Sequence, residues 1–183
     1  MPGENTTTQH TLVLGGTRSG KSAYAEHLLP AEQPVRYLAT ARTDPTDAEW
    51  SARIDAHRAR RPPRWRTLEA EEPAAVLLAL DEQPILLDDL ATWLTGEMDD
   101  AHAWDGGGAE LARLAGRTDE LVDAVRRCGC RLVLVSAEVG LGVVPATRSG
   151  RLFRDELGAL NTRLARVCDE VLLLVAGIPL RLR

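Results

Sequence analysis

A chain of 183 residues is long enough for one domain with a full core and too short for two comfortable ones. Its 44% hydrophobic and 27% charged residues are ordinary for a globular protein. The formal charge of −5 argues against a broad nucleic-acid-binding face, which needs basic surface, and no apolar run approaches the roughly 20 residues of a membrane span. The polar opening, MPGENTTTQH, lacks the charged-then-apolar plan of a signal peptide. The expectation is a cytoplasmic enzyme of one domain over residues 1–183, with residues 1–10 a flexible tail.

The first apolar run, Thr11 to Leu14, predicts a buried strand. It leads into GGTRSGKS, which fits the phosphate-loop pattern G-x-x-x-x-G-K-[ST]. Gly15, Gly16, Thr17, Arg18, Ser19, Gly20, Lys21 and Ser22 are therefore candidate nucleotide-binding residues. Glycines allow positive φ, so several backbone N–H groups can turn toward one phosphate. Lys21 supplies a positive charge to the outer phosphates and the Ser22 hydroxyl a ligand for Mg²⁺. Ala23 to Leu29 predicts a helix stopped near Pro30, its positive end facing the same anion. Strand, glycine loop and helix together point to a nucleoside triphosphate without saying which reaction it undergoes.

Val35 to Ala39 predicts a second strand. Asp47 to Arg60 follows as a strongly polar helix ending in RIDAHRARRP, five basic residues around one acid in an acidic chain. Arginine forks match phosphate oxygens. Arg53 and His57 stand four apart, so they share a helix face, and a neutral imidazole among cations can attack phosphorus. A solvated helix face explains the same residues. Pro73 to Leu80 predicts a short apolar helix. Ile85 to Leu87 is a strand running into Asp88 and Asp89. A strand-end acid suits Mg²⁺ and an aspartate suits a helix N-cap, and one residue can serve each purpose. Residues 99–108 (DDAHAWDGGG) predict a flexible loop.

Leu111 to Arg127 has apolar residues at helical spacing, and Arg131 to Val135 is a strand. The sequence from Val135 to Pro145 then makes a loop with two glycines and a proline, either a plain connection or a substrate loop. Gly150 to Val167 predicts a helix carrying Arg151, Arg154, Asp155 and Asn161, polar enough to suggest a subunit contact. Glu170 to Val175 is the last clear strand, and Leu180 to Arg183 a candidate edge strand. Cys128, Cys130 and Cys168 have no companion pair or histidine cluster to complete a zinc site. Near-continuous apolar strands alternating with helices predict an α/β fold of the P-loop NTPase kind, a mostly parallel central sheet with helices on both faces.

Taken together, GGTRSGKS, YLATA (residues 37–41), RIDAHRARRP (53–62), WRTLE (65–69), LLDDLATWLT (86–95), SAEVGLGVVP (136–145), RLFRDELGALN (151–161) and AGIPL (176–180) resemble the bifunctional adenosylcobinamide kinase / adenosylcobinamide-phosphate guanylyltransferases of cobalamin biosynthesis. The resemblance runs from about Thr11 to the C-terminus. It implies that ATP or GTP phosphorylates the aminopropanol hydroxyl of adenosylcobinamide. A histidine, falling here on His57, then takes GMP from GTP with loss of pyrophosphate and passes it on, giving adenosylcobinamide-GDP. It implies catalytic roles for His57 and Lys21, and nucleotide contacts at Thr40, Ala41, Arg42, Arg58, Ala59, Arg60, Arg61, Glu69 and Asp88. It also implies Mg²⁺ on Ser22 and Asp88, and a trimer. The chain departs from the family pattern at Ala137 (usually Asn), Asp89 (often Cys), Gly96 (often Asn) and Thr162 (often Gln). Two rival readings remain: a simple P-loop kinase without a covalent intermediate, and a non-catalytic nucleotide-binding switch.

Overall fold

The computed structural model describes residues 9–42, 48, 52, 54, 58–59, 61–69 and 71–183. In chain order the elements are β1 (His10–Gly15), α1 (Lys21–His27), β2 (Arg36–Ala39), β3 (Arg66–Glu69), α2 (Pro73–Leu78), β4 (Ile85–Asp88), α3 (Leu90–Asp100), α4 (Gly108–Arg127), β5 (Leu132–Ala137), α5 (Arg148–Val167), β6 (Glu170–Val175) and β7 (Ile178–Arg181). The seven strands form one sheet in the order β3-β2-β4-β5-β1-β6-β7. All neighbours are parallel except the β6–β7 pair, which joins through Ala176 and Gly177, both at positive φ (51° and 80°), as a two-residue hairpin requires.

Alternation along the strands divides the core in two. Leu12, Leu14, Leu38, Ile85, Leu87, Leu132 and Leu134 face α2 to α5, whereas Val13, Tyr37, Leu86, Val133 and Val135 face Ala25 of α1 together with Leu29, Val35 and Trp65. Every strand of the centre is therefore buried on both sides, as a parallel sheet needs. The cover is unequal: among the described helices of the list above, only α1 contributes buried residues to the second layer.

Several sequence expectations shift. His10 is buried and begins β1, so the flexible tail expected over residues 1–10 does not reach that far. The loop expected over 99–108 is largely packed: Asp99 and Asp100 end α3, Gly108 starts α4, and Ala101 and Ala103 lie in the core. Small alanines let this bend sink between helices where its glycines had suggested mobility, and Trp104 rests against Phe153 with ring centroids 6.5 Å apart. The strand β3 falls in a polar segment whose pattern did not announce it. The edge strand is Ile178–Arg181, two residues earlier than expected. The helix expected over 47–60 lies mostly outside the described residues, but Ala48, Ala52, Ile54, Arg58 and Ala59 are helical.

Candidate active site

The glycine loop takes its shape from the ends of three strands. Gly15 pairs with Ala137 of β5 on one side and Leu174 of β6 on the other. A Cβ on Gly15 would lie 2.4 Å from Ser19 Oγ and 3.0 Å from the Leu174 carbonyl oxygen, so only glycine fits. Arg18 (φ 57°) and Gly20 (φ 87°) turn the chain through left-handed geometry. Ser19 N–H donates to the Gly16 carbonyl at 3.2 Å, and Gly177 N–H from the β6–β7 turn donates to the Ser19 carbonyl at 2.9 Å. Gly16, Thr17, Arg18 and Gly20 stay open to solvent. Gly20 gives no side-chain cap to α1, which leaves the amides of its first turn for a ligand's oxygens.

The strand carrying Asp88 is not next to β1, since β5 lies between them. Contact is made over the top of β5 by α1. Ser22 Oγ donates to Asp88 Oδ1 at 3.1 Å and Tyr37 OH donates to Asp88 Oδ2 at 2.5 Å. Burial, and next the neighbouring Asp88 carboxylate, push the Tyr37 phenol far above its usual range, so it remains a donor. Arg61, the last arginine of the basic run, lies over the Tyr37 ring, its guanidinium carbon 3.7 Å from the centroid. It is fixed there by a 2.9 Å hydrogen bond from Nη1 to Thr67 Oγ1, while Trp65 flanks Tyr37 with centroids 6.3 Å apart. The basic segment and the phosphate loop are thus linked through Tyr37 and Asp88.

A second group of expected site residues lies at the neighbouring strand ends. Thr40 N–H donates to the Asp88 carbonyl at 3.3 Å and Thr40 Oγ1 to the Asp89 carbonyl at 2.7 Å. Thr40, Ala41, Arg42 and Glu69 line a cleft of about 890 Å³ whose far wall is Trp93, Glu97, Arg113 and Arg117. Arg58 is ion-paired with Glu69, and Ala59 is helical and exposed. Arg42 makes a two-pronged pair with Asp100, at 2.9 and 2.6 Å. Within the cleft Arg117 holds Glu97 at 2.7 Å and Glu120 at 2.6 Å, and also pairs with Glu72. The phosphate loop does not line this cleft. The expected nucleotide residues therefore form two adjoining clusters, one around Ser22, Asp88 and Arg61 and one around Thr40, Arg42 and Glu69, joined where β2 meets β4. His57 and Arg60 lie outside the described residues.

A model of the family described as cobinamide kinase / cobinamide phosphate guanyltransferase matches residues 11–182. The chain belongs to this family. It is 40% identical over 181 residues to the bifunctional adenosylcobalamin biosynthesis protein CobU of Salmonella typhimurium, an alignment covering 94% of this chain and 98% of that one. It is likewise 40% identical over 180 residues to the bifunctional adenosylcobalamin biosynthesis protein CobP of Pseudomonas aeruginosa, covering 94% and 96%. Among solved structures, an ATPase from a bacterial type III secretion system aligns with a TM-score of 0.52 at 12% identity, over 92% of this chain and 51% of that chain. That likeness is one of fold.

The four positions expected to depart from the family pattern have local surroundings of their own. Asp89 N-caps α3, its Oδ1 accepting from Thr92 N at 2.8 Å and Thr92 Oγ1 at 2.7 Å. Gly96 leaves room for Arg42, whose guanidinium atoms would lie 2.8–2.9 Å from a Cβ there. Thr162 is exposed and returns its hydroxyl to the Gly158 carbonyl. At the end of β5, Asn161 donates from Nδ2 to the Ala137 carbonyl at 3.0 Å and accepts from Ser136 Oγ at 2.6 Å. On α5, whose polar residues suggested a subunit contact, Arg154 donates to the Gly140 carbonyl and Arg151 to those of Pro145 and Ala146, bracing the loop after β5. Sequence reasoning also missed Tyr37 as a site residue, because an aromatic in a buried strand carries no signal of what its hydroxyl will reach.

Proposed function

We propose that this chain catalyses both reactions of its family: phosphorylation of the aminopropanol hydroxyl of adenosylcobinamide by ATP or GTP, and transfer of GMP from GTP, by way of a phosphoramidate on His57, to give adenosylcobinamide-GDP and pyrophosphate. The observation that carries this reading is the convergence on Asp88. The loop helix reaches it through Ser22 and the basic segment through Arg61 stacked on Tyr37. A triphosphate in the loop is then within the field of Arg61, four residues after His57 in the sequence. Lys21 and the loop amides hold the outer phosphates, and cations over the transferred group offset the charge that develops as the bond to phosphorus breaks.

The Ser22 hydroxyl and the Asp88 carboxylate, 3.1 Å apart, are both oxygen donors and fit a hard divalent cation such as Mg²⁺. When bound, the cation neutralises charge on the phosphate oxygens. The second Asp88 oxygen accepts from Tyr37 OH. Among the described residues no helix is long and apolar enough to cross a membrane, and the nucleotide substrates suit a cytoplasmic setting. We further propose a homotrimer. The exposed Val175, Ile178, Leu180 and Leu182 along the β7 edge are apolar surface suited to cover by another copy, and sedimentation equilibrium returning a monomer would rule that out.

The decisive experiment uses GTP labelled at the α-phosphate, with magnesium. Wild type is expected to acquire acid-labile, alkali-stable label and His57→Ala none. A preparation that binds GTP yet takes up no label in either form would remove the guanylyltransferase reading and leave the simple kinase. Absence of cobinamide phosphorylation as well would leave only a nucleotide-binding switch.

A further inference from the structure

The transfer of a phosphoryl group to an alcohol leaves one proton to be placed, and the strand ends at the loop offer few groups to take it. Three carboxylates stand at the ends of β4 and β5. Asp88 accepts on both oxygens, from Ser22 and Tyr37. Asp89 is spent on the α3 cap. Glu138 follows β5 directly, and its own N–H donates to the Gly15 carbonyl at 3.0 Å, so it is tied to the first residue of the phosphate loop. Its Oε1 accepts from Gly140 N–H at 2.6 Å, and its Oε2 accepts no hydrogen bond among the described residues.

Strand register shows where it lies. The β4–β5 pairing ends at Leu87↔Leu134, which puts Asp88 level with Val135, whereas β5 runs on beside β1 to Gly15↔Ala137. Glu138 is three residues beyond the level of Asp88, or about 10 Å at the usual rise of a strand. That separation is of the size a phosphoryl group and an attacking hydroxyl need between the two carboxylates. The surrounding loop is built to hold the carboxylate. A Cβ at Gly140 would lie 2.8 Å from Glu138 Oε1, and Arg154 anchors the Gly140 carbonyl at 3.0 Å from α5.

We infer that Glu138 is the general base of the kinase reaction, taking the proton from the cobinamide hydroxyl as its oxygen attacks the γ-phosphorus. The new P–O bond forms as the bond to the β-phosphate oxygen breaks, the nucleoside diphosphate leaves with that electron pair, and the proton passes from Glu138 to solvent. This rests on the kinase half of the function proposed above. The guanylyl half has a nitrogen nucleophile and does not need this carboxylate, so the second reaction serves as an internal control.

The test uses the full chain with Mg²⁺, ATP and adenosylcobinamide, and in parallel with α-labelled GTP. In Glu138→Gln, kcat for cobinamide phosphorylation is expected to fall about 100-fold with KM for ATP within about twofold of wild type, while label on the protein stays at the wild-type level. Glu138→Asp, which keeps a carboxylate, is expected to exceed the Gln variant at least about tenfold. The inference is overturned if Glu138→Gln phosphorylates within about threefold of wild type, if the Asp and Gln variants are equally slow, or if either variant loses both reactions together, since that marks a structural role. A wild type that takes up label but never phosphorylates cobinamide overturns the kinase reading itself, and the base with it.

Discussion

At Gly15 one hydrogen atom in place of a methyl group decides whether the phosphate loop can close. A Cβ there would press on a carbonyl oxygen of β6 as well as on Ser19, and the carbonyl cannot swing away without breaking its strand. Gly15→Ala is expected to cost about 1–3 kcal/mol, read as a lower midpoint in urea denaturation, and to abolish GTP binding. Tyr37 is the other single residue with reach. Its hydroxyl serves Asp88 and its ring serves Arg61, so the two tasks separate by substitution. Tyr37→Phe keeps the ring, while Tyr37→Leu removes the seat of the basic segment. A cation–π contact is worth about 0.5–2 kcal/mol, so the Leu variant should guanylylate more slowly than the Phe variant by up to about thirtyfold. Equal rates for the two would detach Arg61 from the reaction.

Among the elements, α5 has a task that its amphipathic pattern hid. Its inner face packs Leu157, Leu160 and Leu164 into the core, as the spacing predicts, and its polar residues clamp β5 and the loop that follows. Asn161 and Ser136 are both buried and bonded to each other. Asn161→Leu would strand the Ser136 hydroxyl, and an unsatisfied buried polar group costs about 1–3 kcal/mol. The loss is expected in thermal melts, with a companion Ser136→Ala change recovering part of it. If the double variant is no better than Asn161→Leu alone, the pair is not what matters. The helix begins two residues earlier than the sequence suggested because Thr147 Oγ1 accepts from Gly150 N–H at 3.1 Å, a cap that extends it back to Arg148.

On the scale of the whole molecule, the base of the sheet is tied by His10. It starts β1, its ring nitrogen Nε2 lies 3.2 Å from the Cys128 carbonyl at the end of α4, and its backbone N–H donates to Asp169 ahead of β6 at 2.7 Å. The Cys128 side chain, hydrogen-bonded to the ring, holds its pKa above the ordinary 6.5 against the opposing pull of burial, with Asp169 and the Cys128 carbonyl adding smaller rises. A histidine pKa raised on folding stabilises the fold fully below pH 6.5, and that contribution is lost as pH rises through the folded value. The melting temperature should therefore decline as pH rises above about 6.5, and less so in His10→Gln. A wild-type profile no steeper than that of the variant would deny His10 the role.

The sequence by itself determined the layered α/β plan, because strand runs of Val, Ile and Leu leave no face for water and must be covered on both sides. It also determined the phosphate loop, whose glycines and Lys21 are local requirements of backbone geometry and charge. Asp89 as a cap was legible for the same reason, a local contact three residues long. Other features depended on contacts across long sequence separations, which no periodicity records. Tyr37 met Arg61 because β2 and the segment before β3 lie side by side, β3 itself is held by pairing with β2 and not by its own polar pattern, and the 99–108 bend was packed by helices distant in sequence. Only the tertiary structure decided that Ser22 reaches Asp88 over an intervening strand, and that the Glu138 amide holds the first residue of the phosphate loop. Sheet order and register set those distances, and they are properties of the assembled strands.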